Sequence, residues 1–276
     1  MPSQGSNLVR RSLGRRLKTL RQGAGKTEQD VVESSICSRQ KLWRIESGKT
    51  PVKIGDVRAL CWLYGADNAT TDALANLALG TASEGWWEES YGKVLPSWFR
   101  LYLDLEAGAD QIRTYTGELV HGLLQTADYA KAVYRAAKPE DGEEAIQRNV
   151  ELRLGRQKTV LGRTPPAQFV AILSEGVLAR VVGNRSIMGD QISHLRELAG
   201  RKHVDIRVLT FRAGAHAAML GDFALLDFVN EDDPAVAYVE TQVYARYLEQ
   251  PEHLDEYRRV HDLAYKRTVP ILEYLS

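Results

Sequence analysis

From Leu8 to about Leu79, apolar residues recur at intervals of three and four, the spacing that gathers them on one face of an α-helix. The pattern breaks at Gly23–Gly25, Ser34–Ser35, Gly48–Pro51 and Gly65–Asn68, where glycine, serine and proline favour turns. Five short helices are therefore predicted: Leu8–Arg21, Thr27–Glu33, Ser38–Glu46, Lys53–Tyr64 and Thr70–Leu79. The next stretch, GTASEGWWEESYG from Gly80 to Gly92, mixes small residues, acids and paired tryptophans and reads as a linker. It sets a domain boundary near Gly80, dividing the chain into residues 1–80 and 81–276.

Helical periodicity returns at Leu95–Glu106, Ala127–Ala137 and Glu143–Leu161, the last with Ile146, Val150, Leu154 and Leu161 on one face. Past about residue 165 the character changes. Ala167–Leu173, Val204–Thr210, Asp222–Phe228 and Ala235–Glu240 are short runs of Val, Ile, Leu and Phe bounded by Pro, Gly and Asp, and they read as strands. Helices at Glu175–Val182 and Ser186–Ala199 lie between the first two strands, a βαβ spacing, and a helix is expected at Pro251–Tyr265. The expected fold class is mainly α with a C-terminal α/β part: five helices, then a larger α+β domain that is helical over 81–165 and mixed over 166–276.

Charge sharpens this division. The 276 residues carry 36 basic and 36 acidic side chains, yet Met1–Gly65 holds 13 basic and 5 acidic ones while the remainder holds 23 and 31. A basic module joined to an acidic one is the distribution expected when the first part meets a polyanion. With 44% hydrophobic and 26% charged residues the chain is neither disordered nor fibrous. No apolar run approaches the roughly 18 residues of a membrane span, and MPSQGSNLVRRSLGRR has no apolar core of a secretory signal, so the expected location is the cytoplasm. Cys37 and Cys61 share no CxxC spacing, which argues against a disulfide framework or a zinc knuckle.

The most informative segment is Thr27–Gly48, TEQDVVESSICSRQKLWRIESG: a short helix, a tight turn and a second helix, with Val31, Val32, Cys37, Leu42 and Ile45 able to form one small core. Thr27 can cap the first helix with Asp30 as its partner, and Ser38 can cap the second. If Leu42 and Ile45 face inward, Arg39, Gln40 and Arg44 face outward. Arg bonds guanine and Gln bonds adenine in the DNA major groove, each good pair discriminating by about 1–3 kcal/mol. Thr27, Ser38, Lys41, Lys49 and Lys53, with Arg15 and Arg16, are candidates for phosphate contacts that position without specifying. Trp43 either contacts a thymine methyl or sugar or folds over a neighbouring helix.

Through LGRRLKTLRQGAGKT and SRQKLWRIESGKTP, the segment resembles the Cro/repressor-type (Xre) helix-turn-helix family, with Ser38-Arg39, Ile45-Glu46, Gly48-Lys49 and Pro51 on the family's pattern. The resemblance implies a double-stranded DNA partner, a homodimer and a pseudo-palindromic operator with half-sites about one helical turn, or a multiple of it, apart. It also places Arg39, Gln40 and Arg44 on base-reading positions. One departure is Ile36, where the family has glycine at the turn; a β-branched residue resists positive φ, so the turn should be built differently.

Catalytic motifs are missing from the second part: there is no GxxxxGK[ST], GxGxxG after a strand, GxSxG or HExxH. His121, His194, His203, His216, His253 and His261 are scattered and read as surface or capping residues. Glu175, Asp205, Asp222 and Glu240 fall at strand ends, so folding could gather them into a catalytic or metal-binding cluster; solvated end positions are the simpler reading. Trp86, Trp87, Trp98, Phe99 and Tyr102 form an aromatic group that either joins the domains or offers a partner patch. No cofactor and no metal is expected.

The stretch from Gly85 to Ala136, with ELRLGRQ, LSEGVLARVVG, GAHAAMLGDFALLDF and AVAYVET, resembles a domain of unknown function carried behind such modules by many actinobacterial regulators and described as antitoxin-like or WhiJ-like. The family phrase PGLLQT begins here with His121. The resemblance implies a transcription regulator whose second domain binds a small partner protein encoded nearby. The competing readings are a protein-sequestering module with autoregulatory DNA binding, and an enzyme built on the C-terminal carboxylates.

Overall fold

A computed structural model describes residues 4–80, 97–229 and 234–276. The chain forms two compact units, Met1–Leu105 and Glu106–Ser276. The first contains α1 (Gln4–Gly23), α2 (Glu28–Glu33), α3 (Arg39–Glu46), α4 (Ile54–Leu63) and α5 (Asn68–Gly80), and the division between the units falls within α6 (Ser97–Gly108). The five expected helices are present. Their apolar stripes meet in one core of Leu13, Leu17, Val31, Leu42, Ile45, Val57, Leu60 and Leu74, onto which Ile36 and Cys37 pack more loosely.

Two contacts set how α1 lies on α3. Gly14 has no side chain because a Cβ there would stand 2.3 Å from the Ile45 carbonyl oxygen, so the helices touch backbone to backbone. Arg21, at the end of α1, donates to both carboxylate oxygens of Glu46 at 2.7 and 2.9 Å and to the Lys26 carbonyl at 3.0 Å. Both side chains of that pair are 8% exposed. The ion pair therefore joins the two helix ends inside the domain.

The second unit is built on a seven-stranded mixed sheet in the order β6-β5-β4-β1-β2-β3-β7. The strands are β1 (Gln111–Thr116), β2 (Gln168–Ser174), β3 (Val204–Leu209), β4 (Phe223–Asp227), β5 (Val236–Glu240), β6 (Ala245–Leu248) and β7 (Val269–Pro270). β1, β2 and β3 run parallel, with Thr114 opposite Ala171, and β4 turns antiparallel to β1. α7 (Ala127–Ala137) and α8 (Glu143–Leu161) connect β1 to β2, while α9 (Glu175–Ala179) and α10 (Arg185–Ala199) connect β2 to β3. α11 (Pro251–Tyr265) covers the sheet over Tyr115, Ile172 and Leu225, and α12 (Ile271–Tyr274) follows β7.

Two phrases that carry the C-terminal resemblance pack on one another. The Gln157 amide, on α8, donates to the carbonyls of Gly122 and Gln125 at 2.9 and 2.8 Å, and Arg153 donates to the Gln125 side chain at 2.7 Å. Arg156 pairs with Glu106, which is completely buried. His121 occupies the family's proline position with φ −56°, a value proline also supplies, and its Nδ1 accepts from the Leu123 N–H at 3.3 Å. The side chain thus caps the short helical turn Gly122–Leu124. Burial and the neighbouring Arg156 and Arg153 guanidinia hold the His121 imidazole well below its ordinary pKa.

Candidate nucleic-acid interface

α3 begins and ends on well-defined caps. Ser38 Oγ accepts the Lys41 N–H at 3.2 Å, and α3 has no acid in its first turn. Its C-terminus is a Schellman motif: Gly48, at φ +68°, donates to the Ile45 carbonyl at 3.0 Å and Lys49 to the Arg44 carbonyl at 2.9 Å. A Cβ on Gly48 would also strike Arg11 at 2.8 Å, so glycine is needed for both conformation and space.

The turn between α2 and α3 answers the question raised by Ile36. The left-handed residue is Ser35, at φ 59°, one position earlier, and it leaves Ile36 free to pack on the core. Thr27 and Asp30 form the expected capping box: the Thr27 N–H donates to the Asp30 carboxylate at 2.6 Å and the Asp30 N–H to Thr27 Oγ1 at 3.2 Å. The Thr27 N–H and then the Thr27 hydroxyl, which donates to the same carboxylate at 2.8 Å, hold the Asp30 carboxyl below its usual pKa. The carboxylate already sits where an anion would bind α2, which disfavours Thr27 as a phosphate contact.

Leu42 and Ile45 are buried, and Arg39, Gln40, Lys41, Trp43 and Arg44 are exposed. At 3.6 residues per turn, Gln40 is the residue farthest from the buried pair, with Trp43 and Arg44 about 60° and 40° to its two sides. Arg39 and Lys41 form the flanks, and both have protein partners. Arg39 donates to Gln29 Oε1 at 3.1 Å and lies 3.7 Å from Glu28, whereas Lys41 donates to Asp56 at 2.9 Å. Lys49 stands over the Trp43 ring, 4.4 Å from its centroid, and Lys53 is the exposed N-cap of α4. Trp43 is 48% exposed, with the Lys49 ammonium over its ring.

Other candidates lie elsewhere. Arg16 pairs with Asp104 at 3.1 Å, and Arg15 and Ser12 also bond Asp104, so these basic residues serve the contact of α1 with α6. Trp86, Trp87 and the side chain of Trp98 lie outside the described residues. Phe99 stacks on Tyr102 with centroids 5.8 Å apart, and Tyr102 is buried, so that ring drops out of any open patch.

In the second unit the side chains of three of the four candidate acids have separate partners. Glu175 accepts from the Phe211 N–H at 2.6 Å and the Tyr274 hydroxyl, Asp205 from the Tyr265 hydroxyl at 2.7 Å, and Asp222 from the Gly117 N–H at 2.8 Å. Glu240 ends β5 opposite Ala245. Among the described residues, no three His, Cys, Asp or Glu side chains are placed to hold a metal ion. His261 corrects the surface-or-capping reading: it is a core residue, 3% exposed, stacked on Tyr265. Burial raises the pKa of both cysteine thiols, which keeps them protonated packing groups. No helix among the described residues is long and apolar enough to cross a membrane.

Comparison with known families places a helix-turn-helix domain over residues 12–74 and a domain of unknown function (DUF5753) over residues 99–270. No curated protein and no solved structure matches the chain.

Proposed function

We propose, on the premise that the chain belongs to the family defined by the domain of unknown function (DUF5753) and carries a helix-turn-helix domain ahead of it, that it is a sequence-specific, DNA-binding transcription regulator of the cytoplasm. α3 enters the major groove, where Gln40 and Arg44 bond base edges and Arg39 joins them by exchanging Glu28 and Gln29 for DNA. Lys49, Lys53 and the Ser38 end of α3 meet phosphates, and Lys41 does so only by leaving Asp56. The protein acts as a homodimer on a pseudo-palindromic operator. No catalytic step or cofactor is required.

The observation that carries this reading is the outward Gln40–Arg44 face on a helix whose other side is locked into the core by Leu42, Ile45 and the Arg21–Glu46 pair. The test is a fluorescence-anisotropy titration of the full chain against its own upstream DNA and a scrambled duplex over a range of salt. A preference of about 1,000-fold or more is expected. Arg39→Ala relaxes the choice of one base, while Lys49→Ala weakens all duplexes alike and lowers the salt slope by about one. Equal binding of both duplexes, collapsing as salt rises, would refute sequence-specific recognition.

The larger domain is proposed to hold a small partner protein encoded nearby. Support comes from Phe211, Met219 and Leu220, large apolar side chains exposed within the short segment that follows β3. Co-purification of a co-expressed small neighbour with the full chain, lost in a Phe211→Ser/Leu220→Ser double variant, is the expected result. A neighbour that never co-purifies removes this part of the proposal.

A further inference from the structure

Trp43 is the part of the α3 surface that the reading above leaves unused. It lies beside Gln40 on the outward face, one helical turn after Arg39, and half of its indole is in water. Leu42 and Ile45 on the same helix are fully withdrawn, so an aromatic ring held at the surface forgoes burial that binding can recover. The ring is also held in place. The Schellman cap fixes the backbone of Lys49 next to the last turn of α3, and its ammonium rests over the indole. An aromatic side chain ordered before binding loses little rotamer freedom when it makes a contact.

What such a ring meets follows from its neighbours. Gln40 beside it and Lys49 over it supply donors suited to base edges and phosphates, and the apolar feature that the major groove offers among such groups is the C5-methyl of thymine. We propose, resting on the DNA-binding reading, that Trp43 is a specificity-determining residue that packs its exposed indole against a thymine methyl beside the base read by Gln40. Lys49 then has two tasks: it orients the ring and neutralises the phosphate nearest to it.

The experiment starts with selection of duplexes from a randomised library by the full-length chain, which defines the bound sequence directly. Each thymine is then replaced by deoxyuridine, which removes only the methyl group. One thymine per half-site should lose about 4-fold in affinity on replacement, the effect of withdrawing one methyl from water. In Trp43→Ser that position should no longer distinguish thymine from deoxyuridine, with the rest of the preference kept. Trp43→Gln, which retains bulk and helix propensity, repeats the measurement should the serine variant melt early. If the thymine-to-deoxyuridine ratio is the same at every position in wild type and variants, the inference is wrong although the regulator reading stands. If the library yields no preferred sequence, both fall together.

Discussion

Replacing Glu46 by leucine should unfold the helix-turn-helix unit at markedly lower denaturant. The substitution removes two charge-assisted hydrogen bonds from Arg21 and leaves its guanidinium, on a side chain 8% exposed, without its counter-charge. Its remaining bond here, to the Lys26 carbonyl, cannot balance a full charge. At about 1.5–3 kcal/mol for each hydrogen bond to a charged group, and with the range for breaking a buried pair, the cost is about 3–5 kcal/mol. With a urea dependence of about 1–2 kcal/mol per molar for a domain of this size, the midpoint falls by about 1.5 M or more. The readout is selective when tryptophan alone is excited: Trp43 and Trp62 lie on α3 and α4 of the first unit, and residues 106–276 contain no tryptophan. Arg21→Met/Glu46→Leu should regain most of the loss, because two apolar side chains fill the same space without a stranded charge. A single-variant cost below about 1 kcal/mol would refute the argument, since that is how a solvent-exposed ion pair behaves.

Gly48→Ala should destabilise the same unit by more than about 1 kcal/mol in the fluorescence assay, because it combines a left-handed φ with a Cβ 2.8 Å from Arg11. Asp56→Ala should release Lys41 and steepen the salt dependence of DNA binding by about one, measured by anisotropy; an unchanged slope would place Lys41 away from the DNA. The second unit should weaken as the pH falls below about 6.5. The folded pKa values of His121, His194, His216 and His261 are all lowered by burial, so the unfolded chain binds more protons there and stability is lost towards acid. Urea denaturation followed by far-ultraviolet dichroism between about pH 7.5 and 5.5 should show this slope, and His121→Gln should make it shallower by up to about one proton.

Long helices with apolar residues at three- and four-residue spacing were legible from the sequence. Ala127–Ala137, Glu143–Leu161 and Pro251–Tyr265 appear with the bounds their periodicity predicts, Thr126 capping the first and Pro251 opening the last. The central strand was not. β1 reads QIRTYT, and its polar letters hide a segment with Ile112 and Thr114 fully buried. Arg113 is tolerated there because Asp227 of β4 accepts from it at 2.8 Å and bonds Arg258 of α11 at 2.9 Å as well. No local pattern announces a partner more than a hundred residues away. The short edge strands β6 and β7 went unseen for the opposite reason, being too brief for alternation to register.

The outward face of α3 was likewise readable as a set, since a period of 3.6 residues fixes which side chains oppose Leu42 and Ile45. Its internal ranking was not, because Glu28 and Asp56, which engage the flanks, belong to other helices. Magnitudes decide what those pairs mean for recognition. The Arg39–Glu28 pair is loose at 3.7 Å, its side chains 63% and 46% exposed, so breaking it costs well under about 1 kcal/mol, less than the roughly 1–3 kcal/mol of a bidentate guanine contact. Arg39 therefore remains able to read a base. Lys41 is held at 2.9 Å by a carboxylate only 20% exposed, and a phosphate offers it one ionic contact in exchange for another. The exchange gains little, so in the proposed complex Arg39, Gln40, Trp43 and Arg44 are the residues of this helix left to specify sequence, while Lys41 holds α3 to α4 through Asp56.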